Sequence, residues 1–475
     1  MLKVIFICLF FFKMFSMKKR TFARCPLFYF SKQLKSVFKC AIIILIVKKY
    51  FLEEHHLLAE LIYNEQGRLL FTEEMKNEYT ILVPQMLPIH FELIVKIFNN
   101  HGYKMKLLTS TGRRIVDEGL RNVHNDTCYP ALLVIGQMLD ALKSGEYDIN
   151  KTAVMITQTG GGCRASNYIN LLRKALKNNN MAQVPVISLN IANLEKNPGF
   201  KLTVPLLCEL VSAICYGDIL MWVGNQVRPF ENNKGDTDAL IEKWTDKLIQ
   251  SGFSFTEFSK NAAQIIKDFE AIPYTPSQKA RVGIVGEIYI KYAPLGNNCL
   301  EEFLRGEDCE VVVPGLLDFI IFMCDHHVVD TQIYHVAYKK FIASGALEIF
   351  LKDMQNKIIK AVEKSRFRPP AKFEETKENA KAYVSTANKM GEGWLLTAEM
   401  IELIGSGVNN IVCAQPFGCL PNHIVGKGMI RKIRTVYPDA NIVAIDYDPG
   451  ATKVNQENRI KLMLSTAKAN LNAEK

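Results

Sequence analysis

Three glycines followed by a cysteine, Gly160-Gly161-Gly162-Cys163, make the segment of this chain best suited to chemistry. Glycine lets the backbone turn tightly and bring its N–H groups close to a bound anion or cofactor. A thiol at the start of the following helix has its thiolate favoured by the helix dipole. Thiolates are the usual ligands of iron–sulfur clusters, whose potentials are tuned by nearby N–H donors. Arg164 comes next, placed either to neutralise a bound group or hold a phosphate, or to pair with a surface carboxylate. The plainer alternative for the whole loop is a tight turn with an ordinary thiol. No GKS/GKT or GxGxxG pattern accompanies it, so an ATPase P-loop is not supported.

Two further loops carry cysteines: Asn125–Pro130 holds Cys128, and Ile411–Cys419 holds Cys413 and Cys419. Three thiols at sheet ends, Cys128 and Cys163 from a first domain and Cys419 from a second, would place a cluster in the cleft between domains. Three thiolates on four irons leave one iron open as a Lewis acid. Cys413 falls within a strand run and reads as a buried neighbour more than a ligand. The remaining cysteines look structural; Cys208, Cys215 and Cys324 lie in apolar stretches. Twelve cysteines in 475 residues are too sparse for a disulfide scaffold. No CxxC pair or Cys–His spacing indicates a zinc finger.

Other polar groups belong near the same cleft. Glu287, one residue beyond a strand and Gly286, is a candidate acid/base or substrate-positioning group, with loop hydrogen bonding as the alternative. His423, four residues after Cys419, is a candidate proton donor, or a cap for a helix expected over Ile424–Ile433. Asn297 and Asn298 form a polar loop suited to meet substrate or, by default, to cap the next helix, and the acidic Asp446-Tyr447-Asp448-Pro449-Gly450 turn offers a metal site or, more plainly, ordinary turn chemistry.

The elements that must position these groups alternate along the chain. Strands are expected at Thr80–Val83, Lys104–Leu108, Thr152–Thr157 and Val184–Leu189. Helices intervene, one marked by Phe91, Ile94, Val95 and Phe98 at i, i+3, i+4 and i+7, another by Leu132, Ile135, Leu139 and Leu142, a third over Ala165–Lys177. A second run has strands at Val282–Val285, Glu310–Val313, Asn410–Cys413 and Asn441–Ile445, with helical sequence around 345–404 and a final helix. Strands alternating with helices predict α/β architecture: two parallel-sheet domains with helical insertions. The expected divisions are residues 1–64, a first α/β domain over 65–200, a helical segment over 201–275 and a second α/β domain over 276–475.

Charge sorts the partners. The formal net charge is +10, yet residues 1–50 hold eleven Lys or Arg and no acid. That leaves 47 basic against 48 acidic residues in the remainder, so nucleic acid is not an expected partner. The apolar runs Val4–Phe12 and Cys40–Val47 are shorter than the about 20 residues a spanning helix needs. A membrane-surface anchor through residues 1–50 is one expectation; a start that is processed or does not belong to the native protein is the other.

The strings Gly-Gly-Gly-Cys-Arg-Ala-Ser-Asn-Tyr (160–168) and Gln-Pro-Phe-Gly-Cys-Leu-Pro-Asn-His (415–423), with Phe71–Lys76, Asn125–Pro130, Gly286–Tyr289 and Gly391–Trp394, resemble the 2-hydroxyacyl-CoA dehydratase superfamily. The likeness is closest to the C-terminal region of the large activase-related proteins, and it runs from about residue 65 to 460. The resemblance implies two flavodoxin-like domains holding a [4Fe–4S] cluster through Cys128, Cys163 and Cys419, with Cys413 an uncertain fourth. Gly160, Gly161, Gly162 and Arg164 would line that cofactor. It also implies an ATP-hydrolysing activase as electron donor, a second dehydratase-like subunit or a homodimer, an acyl-CoA or other small-molecule substrate, and a reducing cytoplasm. The ATPase domains that precede this region in the larger relatives have no counterpart in this sequence. A non-catalytic iron–sulfur carrier or scaffold, and a cluster-free α/β binding module, are the alternatives.

Overall fold

The computed structural model describes residues 60–124, 126–158, 162–190, 195–335 and 338–473. Residues 1–59, which include the segment expected as a membrane-surface anchor, lie outside the described residues, as do Gly160 and Gly161. Leu61–Lys475 form one compact unit.

Eight strands build two parallel sheets. β1 (Thr80–Pro84), β2 (Met105–Leu108), β3 (Thr152–Thr157) and β4 (Val186–Leu189) assemble in the order β2-β1-β3-β4. β5 (Ala280–Gly286), β6 (Cys309–Val312), β7 (Asn410–Pro416) and β8 (Asn441–Tyr447) assemble as β6-β5-β7-β8. Every pairing is parallel, with Ile81 beside Met105 in the first sheet and Val285 beside Cys413 in the second. Short uninterrupted apolar runs such as Ile81-Leu82-Val83 and Ala153–Ile156 are fully buried, as parallel strands covered on both faces require. All eight expected strands are present, with ends moved by no more than a few residues.

Both sheets follow the same doubly wound plan. The chain leaves β1 toward β2 on one side and passes from β3 to β4 on the other; β5, β6, β7 and β8 repeat this. At such a reversal the loops after the two central strands diverge to opposite faces and open a crevice. The loop after β3 carries Cys163, that after β5 carries Glu287, and that after β7 carries Cys419. Cys128 arrives differently. A helix not expected from the sequence, Arg113–Asn122, follows β2, and Cys128 lies between it and the helix Tyr129–Lys143. It therefore sits at a helix start within a crossover, not at a strand end.

The helix Tyr129–Lys143 joins the lobes. Its residues are buried without interruption from Tyr129 to Leu142, so it has no face for water. One apolar cluster contains Ile135 of this helix, Leu82 of the first sheet and Val282 and Ile284 of the second. Its crossing with Arg113–Asn122 is close enough that only glycine fits. A methyl group at Gly136 would lie 2.2 Å from the Ile115 carbonyl, and one at Gly119 2.3 Å from that of Leu132.

The expected helical segment is Val204–Val227, Asp236–Ser251 and Phe258–Glu270. Val204–Val227 is long and apolar enough to cross a membrane by length and composition, but 61% of its most apolar window is buried in the protein. It also carries Asp218, whose carboxylate accepts from Leu316 N (2.8 Å) and Leu317 N (2.9 Å) and bonds His90 Nε2 (2.8 Å). Leu316–Tyr334, Tyr338–Val362, Phe373–Lys381 and Leu395–Gly405 lie between β6 and β7, and Lys453–Ala473 ends the fold.

Gly136→Leu should force apart the crossing that positions Cys128 and lower stability by about 1–3 kcal/mol. Gly306→Ala, at a helical position with open space around it, should leave stability unchanged or slightly raised. Urea unfolding midpoints of the two variants check this; equal midpoints would contradict the packing argument.

Candidate functional site

Loops from both lobes meet at Cys128. The Tyr129 N–H donates to the Phe417 carbonyl at 2.9 Å, tying the start of the Cys128 helix to the loop after β7. The next residue, Gly418, has φ +76°, and a methyl group there would stand 3.1 Å from Cys128 Cα. Glycine is needed twice over, for the left-handed backbone and for the close approach. Cys419 follows directly, so this contact sets the two cysteine backbones side by side.

Cys163 enters on the loop after β3, just ahead of the helix Tyr168–Asn178. Arg164, next to it, is exposed and donates to the Asp126 carbonyl, clipping the Cys163 loop to the Cys128 loop. A methyl group at Gly391 would lie 3.2 Å from Pro421 and 4.0 Å from Cys163 Sγ, and one at Gly162 would meet Met390 Sδ at 2.7 Å. The second-lobe segment around Met390–Gly391 thus bridges the Cys163 and Cys419 loops. Cys128 and Cys419 are buried and Cys163 partly so.

Burial dominates the electrostatics. It pushes the Cys128 and Cys163 thiols each up to about 11, and the Cys419 thiol higher still. After burial, Cys419 responds to Glu392, Glu287 and Cys128, and Cys163 to Glu392, Glu287 and Cys128. The three thiols and two carboxylates therefore share one electrostatic environment. Cys128 has in addition a 2.6 Å hydrogen bond with the Tyr168 hydroxyl, which favours its thiolate.

The two carboxylates cap one short helix, Ile288–Tyr292. Glu287 Oε2 accepts from Ile290 N and Glu392 Oε1 from Ile288 N, each at 2.9 Å. Burial raises both carboxyls; for Glu287 the Glu392 charge is the next cause. Lys291, a buried ammonium that offsets part of this shift at both carboxyls, is itself paired with Glu399 at 2.8 Å. Tyr289 Oη, whose hydroxyl burial and the Glu287 charge hold in its protonated form, has no hydrogen-bond partner.

Contacts between their loops thus bring the segments of Cys128, Cys163 and Cys419 together, and the Glu287 charge acts on all three thiols. Of the glycines in the loop, Gly162 lies beside Met390. Arg164 ties two loops together and, among the described residues, pairs with no surface acid. Cys413 stays outside. Strand alternation puts Val412 and Ala414 in the core shared by the lobes and Ile411 and Cys413 in a second cluster with Met400, Leu403 and Ile433. Cys413 Sγ contacts Asn422 Oδ1 at 3.8 Å, and burial raises its thiol to about 12.

His423 does not cap a helix over Ile424–Ile433, because that helix begins only at Ile430. The segment forms a π-type turn, Asn422–Gly426, before the helix Ile430–Val436. The exposed ring bonds Gln415 Nε2 at 2.5 Å, and that amide also donates to Asp446 at 2.9 Å. These bonds turn it toward β8. Asn297 Oδ1 caps Leu300 N at 3.0 Å, Asn298 bonds Gln456, and Asp448 closes its own turn through Gly450 and Ala451 N. Cys215 is buried as expected, whereas Cys208 and Cys324 are only partly so. Glu392 and Tyr168, which the residue-by-residue reading had not singled out, fell inside strings that carry the family likeness.

Among the described residues no three His, Cys, Asp or Glu side chains stand close enough to hold a single metal ion. Comparison with protein-family models and with curated proteins finds no match for this chain.

The raised Glu287 carboxyl has a consequence for stability. In the unfolded chain it ionises above the ordinary 4.5, while the folded protein keeps its proton. Its contribution to stability is therefore present at low pH and lost as pH rises above 4.5 toward the folded value. Glu287→Gln, which keeps the acceptor for Ile290 N, should match the parent near pH 4.5 and become progressively more stable than it at higher pH. Thermal unfolding of metal-free protein across this range checks it; a constant difference would contradict it.

Proposed function

We propose that this chain is an iron–sulfur protein of the 2-hydroxyacyl-CoA dehydratase type, a component of an ATP-activated low-potential electron-transfer system acting on an acyl-CoA or another small molecule. The observation that carries the reading is the convergence of the loops bearing Cys128, Cys163 and Cys419, drawn from two parallel-sheet lobes, beside the buried Glu287 and Glu392. Donor chemistry supports the cluster. Five acidic groups share a buried environment in which the buried Lys291 ammonium is itself paired with Glu399, and a cationic iron core is what lets such thiols ionise.

Cys128, Cys163 and Cys419 would hold the cluster, leaving Cys413 in its own apolar layer. A [4Fe–4S] group on three thiolates supplies one-electron transfer and an open Lewis-acidic iron. The chain's own residues do the rest. Tyr168 donates to Cys128 Sγ and settles charge on that sulfur. Glu287, kept protonated by burial and by Glu392, would serve as the proton donor to a leaving hydroxyl. Closely packed loops keep bulk water from both. An ATP-hydrolysing activase would deliver electrons, and a second related subunit or a second copy would complete the substrate pocket.

Anaerobic reconstitution followed by iron and sulfide analysis tests the reading. About four irons per chain are expected. Cys128→Ala, Cys163→Ala and Cys419→Ala should each lose most of that iron, and Cys413→Ala should keep it. Folded protein that takes up no iron, or single variants that all retain it, would refute the proposal.

A further inference from the structure

A second feature lies on the outer edge of the β5–β8 sheet. β8 is the last strand of its sheet, and its outward carbonyls are already occupied. Arg434 Nη2 donates to Ile442 O at 2.5 Å, Arg459 Nη2 to Ala444 O at 2.6 Å, and Gln456 Nε2 to Asp446 O at 2.9 Å. These bonds close the edge against strand addition, the usual liability of an exposed strand. They also fix two guanidinium groups in place, each with further N–H donors remaining.

Along that edge runs a shallow groove, largely open to solvent, lined by Lys427, Arg431, Arg434 and Arg459 over apolar Ile442 and Ala444. Arg431 is exposed and makes no ion pair among the described residues. Asp446, facing Lys427 at 3.4 Å and Arg459 at 3.8 Å, is the carboxylate set against these cations. Planar guanidinium forks held by the backbone are pre-organised for phosphate oxygens, which they bind bidentately.

We propose that this groove binds a small organic or inorganic ligand bearing two linked phosphates. An acidic peptide is the less suitable occupant, because it would add along β8 through the outward carbonyls that Arg434, Arg459 and Gln456 already occupy. The site is separate from the cysteine cleft and stands whether or not a cluster is bound there.

Isothermal titration calorimetry of the full chain with ADP, inorganic pyrophosphate and adenosine tests this. ADP and pyrophosphate should bind and adenosine should not. Tighter binding of ADP assigns the apolar floor to a nucleoside, and equal affinity assigns the site to the phosphates alone. Arg431→Glu should weaken binding at least tenfold, with Arg431→Gln giving a smaller loss in the same direction should the reversal fail to fold. Lys243→Glu, the same charge change on the exposed face of the helix Asp236–Ser251, should stay within twofold of the parent. Absence of binding by both phosphates, equal losses from Arg431→Glu and Lys243→Glu, or binding of an oligoglutamate peptide in place of the phosphates would each overturn the proposal.

Discussion

The hydrogen bond from Tyr129 N–H to the Phe417 carbonyl, with Gly418 pressed against Cys128 Cα, is the constraint on which the candidate site depends. Each parallel sheet makes its own crevice at its switch point, but a crevice in one lobe has thiols from that lobe alone. The contact converts two separate crevices into one. It is held from below by the helix Tyr129–Lys143, buried from Tyr129 to Leu142, which packs in a core shared by both sheets. The glycine crossing at Gly119 and Gly136 sets where that helix begins, and so where Cys128 stands.

The same packing creates an electrostatic burden. Cys128, Cys163, Cys419, Glu287 and Glu392 are each pushed toward their neutral forms, first by burial. Helix-start N–H groups and the Tyr168 hydroxyl relieve part of this, and Lys291 is already committed to Glu399. A site with this balance is costly to ionise on its own and favours a positively charged occupant. That is the physical content behind reading it as a cluster pocket, and it holds for these residues independently of any family likeness.

Much of this was legible in the amino-acid order, for identifiable reasons. Buried parallel strands need uninterrupted apolar runs, and those runs marked all eight strands. Gly-rich and Pro-flanked cysteines at their ends marked the loops. What was hidden depends on contacts between distant segments. Glu392 reaches the N–H of Ile288, 104 residues away, and nothing local in Gly391-Glu392-Gly393 indicates that partner. Cys413 lies on a strand apolar on both faces, so its side could not be told by alternation. His423 sits in a π-type turn that helix periodicity does not distinguish from an ordinary helix start. The helix Arg113–Asn122 buries Glu118 among Arg121 and Lys143 and presents too polar a sequence to stand out.

The account's central claim is that thiols from both lobes meet around one group. Mössbauer spectroscopy of protein reconstituted anaerobically with ⁵⁷Fe tests it most directly. Three cysteine ligands on a four-iron group predict a spectrum in which one iron site differs from the other three, collapsing in Cys128→Ala and Cys419→Ala alike. A spectrum of isolated high-spin iron, unchanged when Cys128 or Cys419 is removed, would contradict the account.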